Sequence, residues 1–338
     1  MLNVFVGKLL NEKWYLPLLA PNFGPISKPN RLFASKAMGS FTEKIFNIVG
    51  DINQADFILL PHDYFYVVKT SPEYLAEYRA LAKQSGKKLL IFDFSDFSER
   101  VIDIPEAIIF RVAAYRSQLR ANEIIMPPFV EDLSKYQSIS LRSKNNEPIV
   151  GFCGFASLSG FKEKIKFYLK NIWQRGAMRQ GIYFRSLAMK FLEKTSGVKT
   201  NFIKRNFFSS HKKTINVPPE QLRREYVENM ANSDLALVVK GDANFSFRFY
   251  EALSMGRVPV FVDTDCVLPL EEKIDYKKFV LFVDYRKLNQ IGEKVTQFWN
   301  QISNEEFQAM QRLARQTFEQ YLNMSAFLRH VLSNLKKS

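Results

Sequence analysis

An arginine and a glutamate three residues apart, Arg248 and Glu251, follow the polar turn Lys240-Gly-Asp-Ala-Asn244. On a helix that spacing puts both side chains on one face. A guanidinium so placed can fork onto two phosphate oxygens. A carboxylate beside it would repel phosphate but suits the paired hydroxyls of a ribose. Gly241 permits close backbone approach. Asn244 or Ser246 can cap the helix, whose free N–H groups favour an anion. Lys240 supplies a second cation. The set has the chemistry of a nucleoside-diphosphate site. Its plain competitor is a capped surface helix with an Arg–Glu pair.

These residues need elements to hold them. Residues 235–239 form an apolar run that reads as a buried strand, and residues 258–262 form another, with Gly256 able to close the helix between them. A strand–loop–helix–strand unit predicts a parallel pair with a crossover. Ligands of open parallel sheets sit outside the carboxyl ends of the strands, so the turn and first helical turn fall where a ligand would be.

The remaining chain alternates in the same way. Strands are expected at 3–6, 57–60, 89–92, 107–112 and 124–126, with helices at 41–49 and 72–85. Residues 16–29, rich in Pro and Gly, predict irregular structure. The polar stretch 138–148 reads as a linker, dividing the chain into residues 1–145 and 146–338. In the second part a strand is expected at 149–153, helices at 161–173, 184–195 and 220–231, a loop at 203–219, and a last strand at 280–283. Two helical stretches follow, 288–302 and 305–335, the last of which can cross back to the first half. Alternating strands and helices place both halves in the α/β class.

Residues 244–269, Asn244-Phe-Ser-Phe-Arg-Phe-Tyr-Glu-Ala-Leu-Ser-Met-Gly-Arg-Val-Pro-Val-Phe-Val-Asp-Thr-Asp-Cys-Val-Leu-Pro269, resemble the signature of the exostosin family of glycosyltransferases, continued by Ile274-Asp-Tyr-Lys-Lys278. Weaker likenesses are Ala55-Asp-Phe-Ile-Leu-Leu-Pro-His-Asp-Tyr64, Phe110-Arg111, Tyr115-Arg-Ser117, Asn122-Glu123, Pro127 and Val150-Gly-Phe-Cys-Gly154. Lys240 and Ala243 depart from the arginine and glycine frequent in bacterial members, so charge is kept at 240 but the fork is lost. The resemblance implies the GT-B architecture: two Rossmann-like domains facing a cleft, the first on the acceptor side, the second holding a nucleotide sugar. It also implies an inverting transferase, with a UDP-sugar as the expected donor and a glycan or lipid-linked glycan as acceptor in polysaccharide biosynthesis.

Inversion needs one general base for the acceptor hydroxyl and fixed positive charge for the leaving diphosphate. Arg248 is the first choice for the charge and Lys240 the second. Asp63, Asp96 and His62 follow strand ends in the first half and are alternative bases; each aspartate has a competing role as a turn or helix cap. Arg111, at a family position, and Arg205, in a basic block, are candidate acceptor or phosphate contacts. Asp263 and Asp265 follow a strand end; a structural or hydrogen-bonding role is favoured, and metal dependence stays open.

Composition narrows the setting. The chain has 338 residues, a formal charge of +14 and two cysteines, Cys153 and Cys266, too few for a disulfide framework. His62, His211 and His330 are scattered, so no metal-ligand spacing exists and no metal or tightly bound cofactor is expected. A reducing cytoplasm fits, and no apolar run is long enough to span a membrane. Residues 151–215 carry +12 of the charge, with Lys212 and Lys213 at their end. Such a block would attract an anionic acceptor or the inner face of a membrane. No nucleic-acid motif accompanies it. The alternative function is a non-catalytic glycan-binding or scaffold protein with a transferase-like fold. A nucleotide-sugar epimerase would need a Gly-rich dinucleotide fingerprint, which is lacking.

Overall fold

The computed structural model describes residues 1–26, 32–158, 160–174, 176–208 and 214–336. His211, Lys212 and Lys213 lie outside them. The chain divides into two units. The first comprises residues 1–130, 267–270 and 320–338, the second residues 131–266 and 271–319. The expected boundary at 145/146 thus falls inside the second unit.

The first unit holds a six-stranded parallel sheet. Its strands are β1 (Leu2–Phe5), β2 (Phe46–Val49), β3 (Phe57–Leu59), β4 (Leu89–Asp93), β5 (Ala107–Arg111) and β6 (Glu123–Ile125), in the order β2-β1-β3-β4-β5-β6. All five residues of β4 are buried, as expected of a central parallel strand covered on both faces. The helices are α1 (Ala20–Phe23), α2 (Leu32–Gly39), α3 (Tyr64–Thr70) and α4 (Pro72–Ser85). Pro72 opens α4, where its missing N–H costs nothing, and Gly86 closes it at φ +68°. Tyr74, Leu75 and Tyr78 of α4 pack on Ile58, Leu89 and Ile109 of the sheet.

In the second unit, β7 (Ile149–Phe155), β8 (Lys199–Arg205), β9 (Leu235–Val238), β10 (Val258–Asp263) and β11 (Leu281–Asp284) form a five-stranded parallel sheet ordered β11-β10-β9-β7-β8. Its helices are α5 (Phe161–Trp173), α6 (Gly181–Glu193), α7 (Pro219–Ala231), α8 (Phe247–Ser254), α9 (Ile291–Gln301) and α10 (Asn304–Thr317). Successive strand residues point to opposite faces. Leu235 and Leu237 join Phe184 and Leu192 of α6 and Trp299 of α9 in one core, while Ala236 joins Met230 of α7 and Ala252 of α8 in another. Helices therefore cover both faces, the doubly wound arrangement of the α/β class. Ser303 and Glu306 start α10 with reciprocal side-chain-to-backbone bonds of 3.1 and 2.7 Å, a capping box. A π-turn at Phe318–Leu322 interrupts the helical stretch expected over 305–335, and Asn323 caps α11 (Met324–Leu335), which belongs to the first unit.

Four expectations fail locally. Residues 41–49 do not form a helix; 46–49 are β2, because a short apolar run has no reliable period and Phe46 buries completely beside β1. Residues 203–205 are not loop but the end of β8, a half-exposed strand whose basic residues hide the pattern. The Pro-rich segment 16–29 contains single helical turns at Pro17–Leu19 and Ala20–Phe23, each with proline in its first turn, where it is tolerated. The supposed linker is stitched to the second unit: Arg142 pairs with the buried Asp234 at 2.5 Å, and Asn145 O accepts from Trp299 Nε1 at 2.8 Å.

Candidate functional site

In the second sheet the chain leaves β7 first toward β8 and then, on the other side, toward β9. The switch point is therefore the gap between β7 and β9, the usual position of a ligand crevice. The pairing of these strands ends at Gly151 and Ala236, and beyond it the strands need other partners. Arg248 supplies them. From the first turn of α8 its Nε donates to Leu237 O at 3.1 Å, and Nη2 donates to Gly151 O at 3.1 Å and Asn229 Oδ1 at 3.0 Å. The guanidinium carbon lies 5.2 Å from the ring centres of Phe152 and Tyr226. Nη1 is buried and makes no hydrogen bond among the described residues. Every acceptor of Arg248 is neutral, so its charge is not matched by a carboxylate at hydrogen-bond distance.

A second arginine, which sequence reasoning missed, lies nearer the strand ends. Arg185 of α6 bridges them, with Nη1 donating to Phe155 O at 3.0 Å and Nη2 to Lys240 O at 2.8 Å. Burial pushes its pKa down to about 10; Asp242 opposes this shift and Arg248 adds to it. Arg185 Nε also has no hydrogen-bond partner. Helix α6 comes this close because position 181 is glycine: a Cβ there would lie 2.2 Å from Lys240 O and 2.3 Å from Gly241 O. That spacing of Gly181 and Arg185, one turn apart, was the available signal in the sequence. By contrast, a Cβ at Gly241 would meet its nearest neighbours at 3.6 and 3.9 Å. The glycine against which the protein's own backbone packs is Gly181, while Gly241 keeps space beside it.

Other expected donor-site residues are engaged within the protein. Glu251 accepts from Arg223 Nη1 at 2.9 Å and Tyr226 OH at 2.7 Å, so both oxygens have partners. Arg223 also pairs with Glu131 at 2.8 Å. Glu251 is thus already hydrogen-bonded within the protein before any ribose is present. Arg223 and Tyr226 lie three apart on α7, the helix that precedes β9. Lys240 is buried and donates to Ala177 O at 2.6 Å, fastening the turn before α6. Ser246 occupies the N-cap of α8 without a side-chain cap bond. Asn244 does not cap either: its Nδ2 donates to Asp265 O at 3.1 Å and its Oδ1 accepts from Thr264 Oγ1 at 2.6 Å, tying the turn to the end of β10. Asp263 accepts from Cys266 N at 2.9 Å, and Asp265 takes φ +62°, so this pair shapes the turn. Arg205 ends β8 on the same sheet edge and pairs with Glu225 at 2.6 Å.

The first unit's candidates also gather at strand ends. His62 is fully buried. Its Nε2 accepts from Leu10 N at 2.9 Å, and Nδ1 lies 2.7 Å from Trp14 O, to which it donates. Burial lowers its pKa, against the opposing Trp14 carbonyl. With both nitrogens bonded to backbone, His62 clasps the segment after β1. Asp63 caps α3, accepting from Tyr66 N at 3.1 Å, and also accepts from Phe94 N at 2.8 Å. Burial raises its pKa to about 6; the Phe94 N–H opposes the rise and Asp93 adds to it. Asp96 is exposed just beyond β4. Arg111 is engaged within the protein: it is buried 3.5 Å from Asp93 and 3.0 Å from Glu123, and donates to Phe97 O at 3.0 Å. No group of metal-binding side chains occurs among the described residues.

Residues 172–298 match the model of the Exostosin GT47 domain, a span that includes Arg185, Arg248 and Glu251. Over this span the chain is similar to that domain. Curated relatives agree over shorter spans. Exostosin-1 of Drosophila melanogaster is 41% identical over 73 residues, which is 22% of this chain and 10% of that protein. The Exostosin-1 homolog of Caenorhabditis elegans is 33% identical over 111 residues, 32% of this chain and 28% of that protein. The chain therefore spans less than a third of these relatives. Among solved structures, HepE of Anabaena in complex with UDP aligns over the whole of both chains with 12% identity and a TM-score of 0.43. TarM aligns over 74% of this chain and 55% of its own with a TM-score of 0.37. The matched span covers both switch-point arginines, whereas Asp63, Asp96 and Arg111 lie outside it. No helix among the described residues is long and apolar enough to cross a membrane.

Proposed function

We propose that the protein is an inverting glycosyltransferase of GT-B type that moves a sugar from a UDP-sugar to a glycan or lipid-linked glycan acceptor. One observation carries this reading: within the span that matches the Exostosin GT47 domain, Arg248 and Arg185 sit at the β7/β9 switch point with buried N–H groups that no acceptor among the described residues takes. A diphosphate would fill those valences, and its charge would match the guanidinium groups. As the anomeric C–O bond to the donor phosphate breaks, negative charge grows on the leaving diphosphate. Preformed cations stabilise that charge without reorganisation. The acceptor oxygen forms the new bond and gives its proton to a base. Asp63 and Asp96 are our candidates for this role, Asp63 for its raised pKa and Asp96 for its exposure. The acceptor is anionic on this reading, drawn by the basic segment, and the reaction is placed in the cytoplasm.

A non-catalytic scaffold has one observation in its favour: Lys240 and Glu251 are already satisfied internally. Slow hydrolysis of UDP-sugars without acceptor separates the two readings, since a scaffold would release no UDP. Calorimetry with UDP on Glu251→Ala decides whether the glutamate also meets the nucleotide. An affinity unchanged in the folded variant assigns Glu251 to holding Arg223 and Tyr226 alone.

A further inference from the structure

Helix α5 is built the wrong way round for a helix that packs on its own core. Phe161, Ile165, Leu169, Ile172 and Trp173 recur at helical spacing and are all exposed, Phe161 at 79% and Trp173 at 85%. The polar Asn171 is instead buried, its Nδ2 donating to Phe167 O at 2.8 Å and its Oδ1 accepting from Gln180 N at 3.2 Å. Helices that cover a core do the reverse, as Trp299 of α9 and Phe307 of α10 do here. Lys166 and Lys170, both exposed, each follow a member of the apolar row and border it on one side.

We propose that α5 is a membrane-surface anchor that lies flat on an anionic lipid layer, its apolar row among the acyl chains and its lysines at the headgroups. An apolar face with a bulky aromatic and a lysine-rich flank is the pattern of interfacial helices. Thirteen residues are too few to span a bilayer, which needs about 20. Charge selects the occupant. The helix sits in the segment carrying +12, which a negatively charged leaflet attracts. A second copy of the chain is disfavoured, because pairing two such faces would bring Lys166 and Lys170 against their own counterparts. The inference does not depend on the donor site.

The test is co-sedimentation of the full chain with vesicles of phosphatidylcholine alone or mixed with phosphatidylglycerol. Binding is expected to the anionic vesicles. Ile165→Ser with Leu169→Ser and Trp173→Ser should weaken it about tenfold or more, since several apolar side chains leave the lipid. Lys166→Glu with Lys170→Glu should weaken it at low salt and much less at high salt, where headgroup attraction is screened. Tryptophan emission should shift to the blue on binding, and Trp173→Phe should remove the shift while binding persists. Failure to bind anionic vesicles, or binding indifferent to the apolar substitutions, overturns the proposal. So does concentration-dependent dimerisation that the same substitutions abolish, which would make the face a contact between copies. UDP affinity of each variant, measured in parallel, should be unchanged, so a failed anchor and a failed donor site give separate results.

Discussion

The two sheets solve the same problem at their switch points with opposite electrostatics. Between β1 and β3, the neutral His62 clasps the loop after β1 through Leu10 N and Trp14 O. The nearby arginine of that sheet, Arg111, stands between Asp93 and Glu123. Between β7 and β9, Arg185 and Arg248 cross the gap and bond only to neutral oxygens. Both sheets thus have a buried arginine near a strand end, but only in the second do these arginines hydrogen-bond to no carboxylate. Burial alone does not reveal an arginine's role; its counter-ions do.

The largest expected effect tests the matched side. Arg111→Ala leaves two carboxylates buried without their partner, and losing one member of a buried ion pair costs about 3–5 kcal/mol. Urea unfolding should show that loss, while UDP affinity of the folded fraction stays as it was. A variant as stable as the parent would mean that Arg111 is not the charge-balancing residue described above.

On the unmatched side, Arg248→Ala should lower transfer by ~10²-fold or more, the scale of one preorganised electrostatic contact. Arg248→Lys should recover only part of this, because a single ammonium cannot bridge Leu237 O and Gly151 O and still face a diphosphate. Initial rates with saturating UDP-sugar provide the measurement. Equal rates for Arg248→Lys and the parent would remove the forked geometry from the argument.

A pH comparison isolates the carboxyl end of β3. The pKa of Asp63 is raised to about 6 in the fold, from an unfolded value near 4, so the folded state holds its proton more tightly. Its contribution to stability therefore declines as pH rises from about 4 to 6 and is level above that, by about 3 kcal/mol. The urea midpoint of the parent relative to Asp63→Asn, followed from pH 4 to 7, should narrow over that window. A constant difference would show that Asp63 titrates normally and is no better placed than Asp96 to accept a proton.

The smallest effect separates two glycines on either side of one contact. Gly181→Ala forces a methyl against Lys240 O and should cost about 1–3 kcal/mol, the range for overpacking. It should also weaken UDP binding, since the backbone it displaces carries the Arg185 contact. Gly241→Ala should stay within ~0.5 kcal/mol of the parent, as ordinary contacts allow. Reversed thermal-denaturation results would return the close approach to Gly241.

Much of the second unit was legible in the chain itself. The runs at 235–239 and 258–262 read as buried strands and are β9 and β10, Gly256 closes α8 at φ +62°, and the signature around Arg248 marked the strand–loop edge of the second sheet. Local periodicity and turn chemistry depend on neighbours in sequence, and they were enough to place the elements. What they could not determine is which partner each polar side chain finds. Glu251 turns to Arg223 and Tyr226, Lys240 to Ala177, and His62 to Leu10 and Trp14, each across 25 residues or more. The same limit hid Arg185, an ordinary helical arginine until the close packing at Gly181 sets it across two strand ends. Strand and helix follow from composition and period along the chain. Whether a charge ends up matched or open is decided only by tertiary packing, because the desolvation of each group and the distance to its counter-ion exist only in the folded protein.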